Sequence, residues 1–92
     1  MSAQWTFFTN YGHVLFLVDK NPDATLREMS FDIGITERAV QRIISDLVSD
    51  GFLKVSKIGR QNSYTIVGKK HLKHDIEKSC SVDEIILAVN GE

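Results

Sequence analysis

The segment 34–64, GITERAVQRIISDLVSDGFLKVSKIGRQNSY, constrains the fold most, because a turn, a helical pattern and two strand-like stretches follow one another without a gap. Within residues 36–50, the apolar side chains fall at helical spacing: Val40, Ile43, Ile44 and Leu47. This spacing predicts a helix with one buried face. Thr36 is a suitable N-cap for that helix, and Gly51 a suitable stop.

The stretch after Gly51 has the composition of a β-hairpin. Residues 52–58 and 63–67 are rich in β-branched and aromatic residues, and Gly59-Arg60-Gln61-Asn62 separates them. Such a pattern predicts two antiparallel strands joined at a polar tip. We call residues 52–67 the wing.

A second helical pattern comes immediately before this segment. Thr25 followed three residues later by Glu28 is a capping box, which predicts a helix start. The side chains expected to face inward are Leu26, Met29, Ser30 and Ile33. Two helices that meet at a tight turn need a small residue near it, which Ser30 provides, and Gly34 suits the left-handed turn itself. The pattern predicts a helix-turn-helix.

The remaining patterns complete one domain over residues 1–92. A mostly apolar helix is predicted from Tyr11 until Pro22 ends it. Ser81 and Glu84 form another capping box, ahead of a short apolar helix. We therefore expect a mainly α fold with a small β-hairpin (α+β), divided into a core at 9–67, a polar linker at 68–80 and a C-terminal helix at 81–90.

The charge of the chain is unevenly distributed. Its net charge is −1, yet residues 36–70 carry seven Lys or Arg against three acids, which makes them +4. Residues 1–35 are −2, and residues 71–92 are −3. A local basic excess of this kind is typical of a surface that contacts a polyanion.

The helix-turn-helix over residues 26–47, followed directly by Asp50-Gly51-Phe52-Leu53 and the basic hairpin, resembles the winged helix-turn-helix transcription regulators, most closely the MarR-like family. The resemblance covers about residues 9 to 67. It implies a three-helix core with a wing and a dimeric regulator that binds double-stranded DNA. In that arrangement, helix 36–50 enters the major groove, and the wing contacts the backbone or minor groove.

The exposed part of helix 36–50 has residues suited to reading bases. Arginine can bind guanine O6 and N7 with two hydrogen bonds, and glutamine can pair with adenine N6 and N7. We expect Arg38, Gln41 and Arg42 to contact base edges. The backbone-contacting set is expected to comprise Thr36, Glu37, Ser45, Lys54, Lys57, Arg60, Gln61 and Asn62. Surface arginines and lysines are also common on helices and loops that only face solvent.

The chain has more apolar surface than one small core can cover, which predicts a homodimer. The residues expected at its interface are Trp5, Phe8, Tyr11, Leu15, Val82, Ile85, Ile86 and Val89. A two-fold axis would set the two recognition helices about one DNA turn apart.

Two other classes of function remain open: a winged-helix protein-interaction module in a larger assembly, and a regulator gated by a metal or small-molecule effector of unknown identity. We expect no enzyme activity and no cofactor, since no catalytic motif is present. His71, His74 and Cys80 make a poor metal site, because structural zinc usually takes four ligands in close pairs. The lone cysteine and the lack of a long apolar run favour a cytoplasmic protein without membrane segments.

Overall fold

A computed structural model describes residues 5–91 of the chain. It is an α+β structure of four helices and one two-stranded antiparallel hairpin, a layout compatible with a winged helix. In chain order, the elements are α1 (Asn10–Lys20), α2 (Leu26–Ile33), α3 (Glu37–Ser49), β1 (Leu53–Ile58), β2 (Gln61–Ile66) and α4 (Val82–Asn90).

Three of the four helices begin at side-chain caps, at the residues that the sequence predicted. Thr25 and Ser81 each form a full capping box with the glutamate three residues later. Thr36 Oγ1 accepts a hydrogen bond from the Ala39 amide at 3.0 Å, which caps α3. Thr9 precedes α1, but its side chain makes no capping hydrogen bond. The N-cap residues Thr25, Thr36 and Ser81 therefore fix where α2, α3 and α4 begin.

The hairpin is tighter than the sequence predicted. Ile58 pairs with Gln61, so only Gly59 and Arg60 form the turn, and the predicted four-residue tip is wrong in length. Gly59 has φ of 65°, which suits a two-residue turn with glycine in its first central position. Gln61 and Asn62 belong to β2, because this turn lets the ladder continue to the end of both strands.

The core lies where the three N-terminal helices meet the base of the hairpin. Val14, Met29, Val40 and Leu53 are almost completely buried there, and each contributes about 1.5–3 kcal/mol through removal from water. The Tyr64 amide donates to the Pro22 carbonyl at 2.9 Å, so the α1–α2 connection lies along the outer edge of β2. This bond holds the wing against the helical body.

Residues 68–80 bring α4 back to the body of the protein. The Val82 amide donates to the Lys70 carbonyl at 2.9 Å, and the Leu72 amide donates to the Cys80 carbonyl at 3.0 Å. Asn90 Nδ2 closes the far end through a 3.1 Å bond to the Phe16 carbonyl on α1. Among the helices of residues 5–91, none is both long and apolar enough to cross a bilayer.

Three of the residues expected at a dimer interface belong to the core of a single copy. Leu15, Val82 and Ile86 are buried between α1 and α4, because the apolar stripe of α4 packs onto α1 of the same chain. They do not present surface to a partner. The prediction is reduced to Trp5, Phe8, Tyr11 and Val89, which are exposed, and to Ile85, which is half-buried.

Candidate nucleic-acid interface

One face of α3 gathers the three residues expected to contact bases. Arg38, Gln41 and Arg42 are exposed, and Ser45 continues the same face one turn later. Residues three and four apart on a helix are surface neighbours, so these side chains form a continuous polar row. The opposite face is buried in the core. Packing of that buried face therefore fixes the direction in which the row points.

The basic side chains of this surface are not neutralised by neighbouring acids. Across residues 5–91, ion pairs form only between Lys73 and Asp50 and between Lys78 and Asp75. The cations of α3 and the wing are outside both pairs: Arg38, Arg42, Lys54, Lys57 and Arg60. Their positive charge is available to an external anion.

Asp46 lies on α3 four residues after Arg42. Its Oδ2 accepts a 2.6 Å hydrogen bond from the Tyr11 hydroxyl on α1. That bond is the main reason the pKa of Tyr11 is raised above its ordinary value; burial adds to the effect, and the charge of Arg42 opposes it. The carboxylate is thus held toward α1 by a neutral donor.

The two wing lysines point to opposite sides of the hairpin. Leu53, Val55 and Lys57 share one face of β1, whereas Lys54 lies on the other, since side chains alternate along a strand. Arg60 lies in the turn and is exposed. A single flat surface can therefore contact Arg60 and one of the two lysines, but not both lysines equally.

The tip of the wing is held beside the start of α2. Gln61 Nε2 donates to the Asp23 carbonyl at 3.4 Å, which leaves the Gln61 side-chain carbonyl free. An open groove of about 730 Å³ separates Arg60 and Asn62 on the wing from Thr25 and neighbouring residues on α2. The wing is therefore positioned by the helix-turn-helix itself.

The histidines and the cysteine do not come together. His71 Nδ1 donates to the Lys78 carbonyl at 2.7 Å, and His74 Nδ1 accepts from the Ile76 amide at 3.1 Å. Cys80 Sγ lies 3.6 Å from the Ser81 carbonyl. Within the described part of the chain, no three His, Cys, Asp or Glu side chains are grouped closely enough to hold a metal ion.

Sequence patterns missed the contacts that orient this surface. The bonds from Tyr11 to Asp46, from Gln61 to Asp23 and from Tyr64 to Pro22 each join residues more than thirty positions apart. Periodicity and capping are local signals, and they do not identify such partners.

Comparison with protein-family models, with curated proteins and with solved structures finds no match to the chain. The likeness to winged helix-turn-helix regulators therefore rests on the residues and the geometry described above.

Proposed function

We propose that the chain is a sequence-specific double-stranded DNA-binding protein that regulates transcription by occupying an operator. In this proposal, α3 enters the major groove, and the wing contacts the backbone or the adjacent minor groove. The observation that carries the proposal is the exposed row Arg38, Gln41 and Arg42 on one helix face, which forms no ion pair within residues 5–91.

The chemistry of that row fits base readout. A guanidinium group binds guanine with two parallel hydrogen bonds, each good bidentate pair contributing about 1–3 kcal/mol of discrimination between bases. The Gln41 amide offers a donor and an acceptor to adenine. Glu37 lies in the first turn of α3, where its negative charge interacts favourably with the helix dipole and repels misplaced phosphate.

The wing supplies the part of the binding energy that does not depend on sequence. Arg60 at the turn, with Lys54 or Lys57, neutralises phosphates and releases their counterions. Phosphate contacts of this type set the position of a protein on the duplex, and base contacts then select the site.

We further propose that the protein binds DNA as a homodimer. Trp5, Phe8, Tyr11 and Val89 leave apolar surface exposed on one copy of the chain, and Ile85 is half-buried. A second copy would cover this surface and would present two α3 helices to a pseudo-palindromic site.

A protein-interaction module is the second candidate, because large apolar side chains are exposed on α2 and the wing. Phe31 is 86% exposed and Ile58 is 71% exposed. Apolar residues next to arginines are common in protein interfaces, where aromatic residues and Arg are enriched. For this candidate, Arg38 and Arg42 would contact an acidic protein surface.

Substitution of Arg42 tests the first proposal against the second. Arg42→Ala should weaken binding to the selected duplex by about 1–3 kcal/mol, and Arg42→Lys should restore only part of it, because lysine lacks the two-pronged geometry. Lys78→Ala, which removes an exposed cation from the linker, is the charge-matched control and should bind normally. Undiminished DNA binding by a folded Arg42→Ala protein would favour the protein-interaction candidate.

A further inference from the structure

An open cavity of about 500 Å³ lies away from the base-contacting row, between the N-terminal segment, α1, the end of α3, the linker and α4. Its apolar wall includes Phe8, Phe16, Phe52, Leu72, Ile76 and Ile85. Small-molecule sites in proteins usually measure about 300–1,000 Å³ and combine an apolar lining with a few polar groups. The cavity has the size and the lining of such a site.

The charged groups that line the cavity are mostly acidic. Asp46, Asp50 and Glu77 contribute carboxylates, and Lys73 contributes the one ammonium among the lining residues. Lys73 Nζ is already paired with Asp50 Oδ2 at 2.9 Å. Asp46 accepts only from the neutral Tyr11 hydroxyl, and Glu77 takes part in no ion pair within residues 5–91. Two carboxylates thus lack a cationic partner.

Aromatic rings add a second attraction for positive charge. The negative face of an aromatic ring attracts a cation placed within about 6 Å of its centre. One such cation–π contact is present at the cavity wall, where Lys70 Nζ lies 5.3 Å from the centre of the Phe52 ring. When Lys70 is counted as well, the three acids of the lining still outnumber the two lysines.

From these observations we propose that the cavity binds a hydrophobic organic cation, an amine or quaternary onium ion with an aromatic body. The apolar body occupies the wall formed by the phenylalanines, and the charged centre lies toward Asp46 and Glu77. An anion of the same shape is repelled by the same carboxylates. Binding of this kind does not depend on the proposed DNA contacts. Phe8, Tyr11 and Ile85 line the cavity and also belong to the surface proposed for the homodimer, so the bound cation and a second copy of the chain compete for these side chains.

Two probes of the same shape and opposite charge test the charge preference directly. Tetraphenylphosphonium should bind the wild-type protein saturably at one site, about tenfold or more tighter than tetraphenylborate, because like charges across a contact are strongly unfavourable. Isothermal titration without DNA measures both affinities. Equal affinity for the two ions, or no saturable phosphonium binding, would overturn the proposal.

Charge-removing variants locate the bound cation. The double variant Asp46→Asn, Glu77→Gln should weaken phosphonium binding about fivefold, as expected for two partly solvated ion pairs, and leave borate binding equal or tighter. Asp32→Asn removes an exposed acid on α2, outside the cavity, and should bind phosphonium like the wild type. An equal loss in both variants would contradict a charge centre at Asp46 and Glu77.

Cys80 reports whether the probe occupies this cavity. It is the one cysteine of the chain and lines the cavity, so bound phosphonium should slow its reaction with a thiol reagent several-fold. Unchanged reactivity at saturating phosphonium would place the probe elsewhere. Cys80 protection that rises with protein concentration in the absence of any probe would show that the second copy fills the cavity itself, and not only the exposed surface beside it, which would overturn the cation proposal.

Discussion

The Tyr11 hydroxyl donates to Asp46 Oδ2 across 2.6 Å, which joins the first turn of α1 to α3 one turn beyond Arg42. Within residues 5–91, the Asp46 carboxylate forms this bond and no ion pair with that arginine. The bond also places a group of α1 between the exposed row Arg38, Gln41 and Arg42 and the cavity, since Tyr11 and Asp46 both line the cavity. Asp46 therefore lines the cavity and also lies one turn beyond Arg42 on α3.

This bond predicts a loss of stability in alkali. The pKa of Tyr11 is raised above 10.0, first by its hydrogen bond to Asp46 and next by burial. A raised pKa in the folded protein means that the stabilisation is complete below 10.0 and is lost as the pH rises through the folded-state value. Thermal unfolding across this range should show a steeper decline for the wild type than for Tyr11→Phe. Parallel declines would contradict the assignment, and the difference between the two phenolate absorbance titrations gives the pKa directly.

The turn between α2 and α3 should tolerate little besides glycine at position 34. Gly34 has φ of 86°, and no atom lies within 4 Å of the position a Cβ would take. The cost of a side chain there is therefore conformational, about 1–2 kcal/mol for Gly34→Ala in the free energy of unfolding. Gly34→Asn should cost less, because asparagine adopts the left-handed region more readily. Chemical denaturation measures both, and an alanine variant as stable as the wild type would contradict the assigned turn.

The capping box of α4 predicts that part of the protein's stability is lost in acid. The Ser81 amide donates to the Glu84 carboxylate at 2.8 Å, and this bond is the main reason the pKa of Glu84 lies below 4.5; the Ser81 side chain lowers it further. A lowered pKa means that this stabilisation is present above 4.5 and is lost as the pH falls through the folded-state value. Glu84→Gln should therefore be less stable than the wild type at neutral pH and should approach it in acid. Glu77→Gln, in the linker, is the matched control, and a gap that persists unchanged in acid would exclude this mechanism.

Salt dependence should separate the wing cations. Each phosphate neutralised adds about −0.9 to the slope of log K against log salt, so Arg60→Ala should reduce the slope by about one per copy of the chain. Because Lys54 and Lys57 lie on opposite faces, only one of their alanine variants should reduce it equally. Lys69→Ala, in the linker, should leave it unchanged. Binding to duplex DNA at a series of salt concentrations measures the slopes, and identical slopes in all four variants would exclude the wing from the interface.

Much of the local architecture was predictable from the sequence, because caps and periodic apolar residues act within one helix. The starts of α2, α3 and α4 follow Thr25, Thr36 and Ser81, and these predictions are confirmed. The exposure of Arg38, Gln41 and Arg42 follows from the same periodicity. Their contact with DNA stays a prediction.

Packing between residues far apart in the sequence was not predictable. Leu15, Val82 and Ile86 have the pattern of an apolar interface, and only the path of residues 68–80 decides that they bury each other within one chain. The cavity arises for the same reason, since its wall combines side chains from both ends of the chain. A periodic pattern predicts that one face of a helix is apolar, but it does not predict which element that face packs against.

The most direct test of the central claim is selection of bound fragments from a pool of random duplex DNA, run in parallel with the wild type and with an Arg38→Ala, Gln41→Ala, Arg42→Ala variant. The account predicts that the wild type enriches one pseudo-palindromic motif, with half-sites about 10 base pairs apart, and that the folded variant does not. A pool left unenriched by the wild type, or the same motif enriched by both proteins, would contradict it.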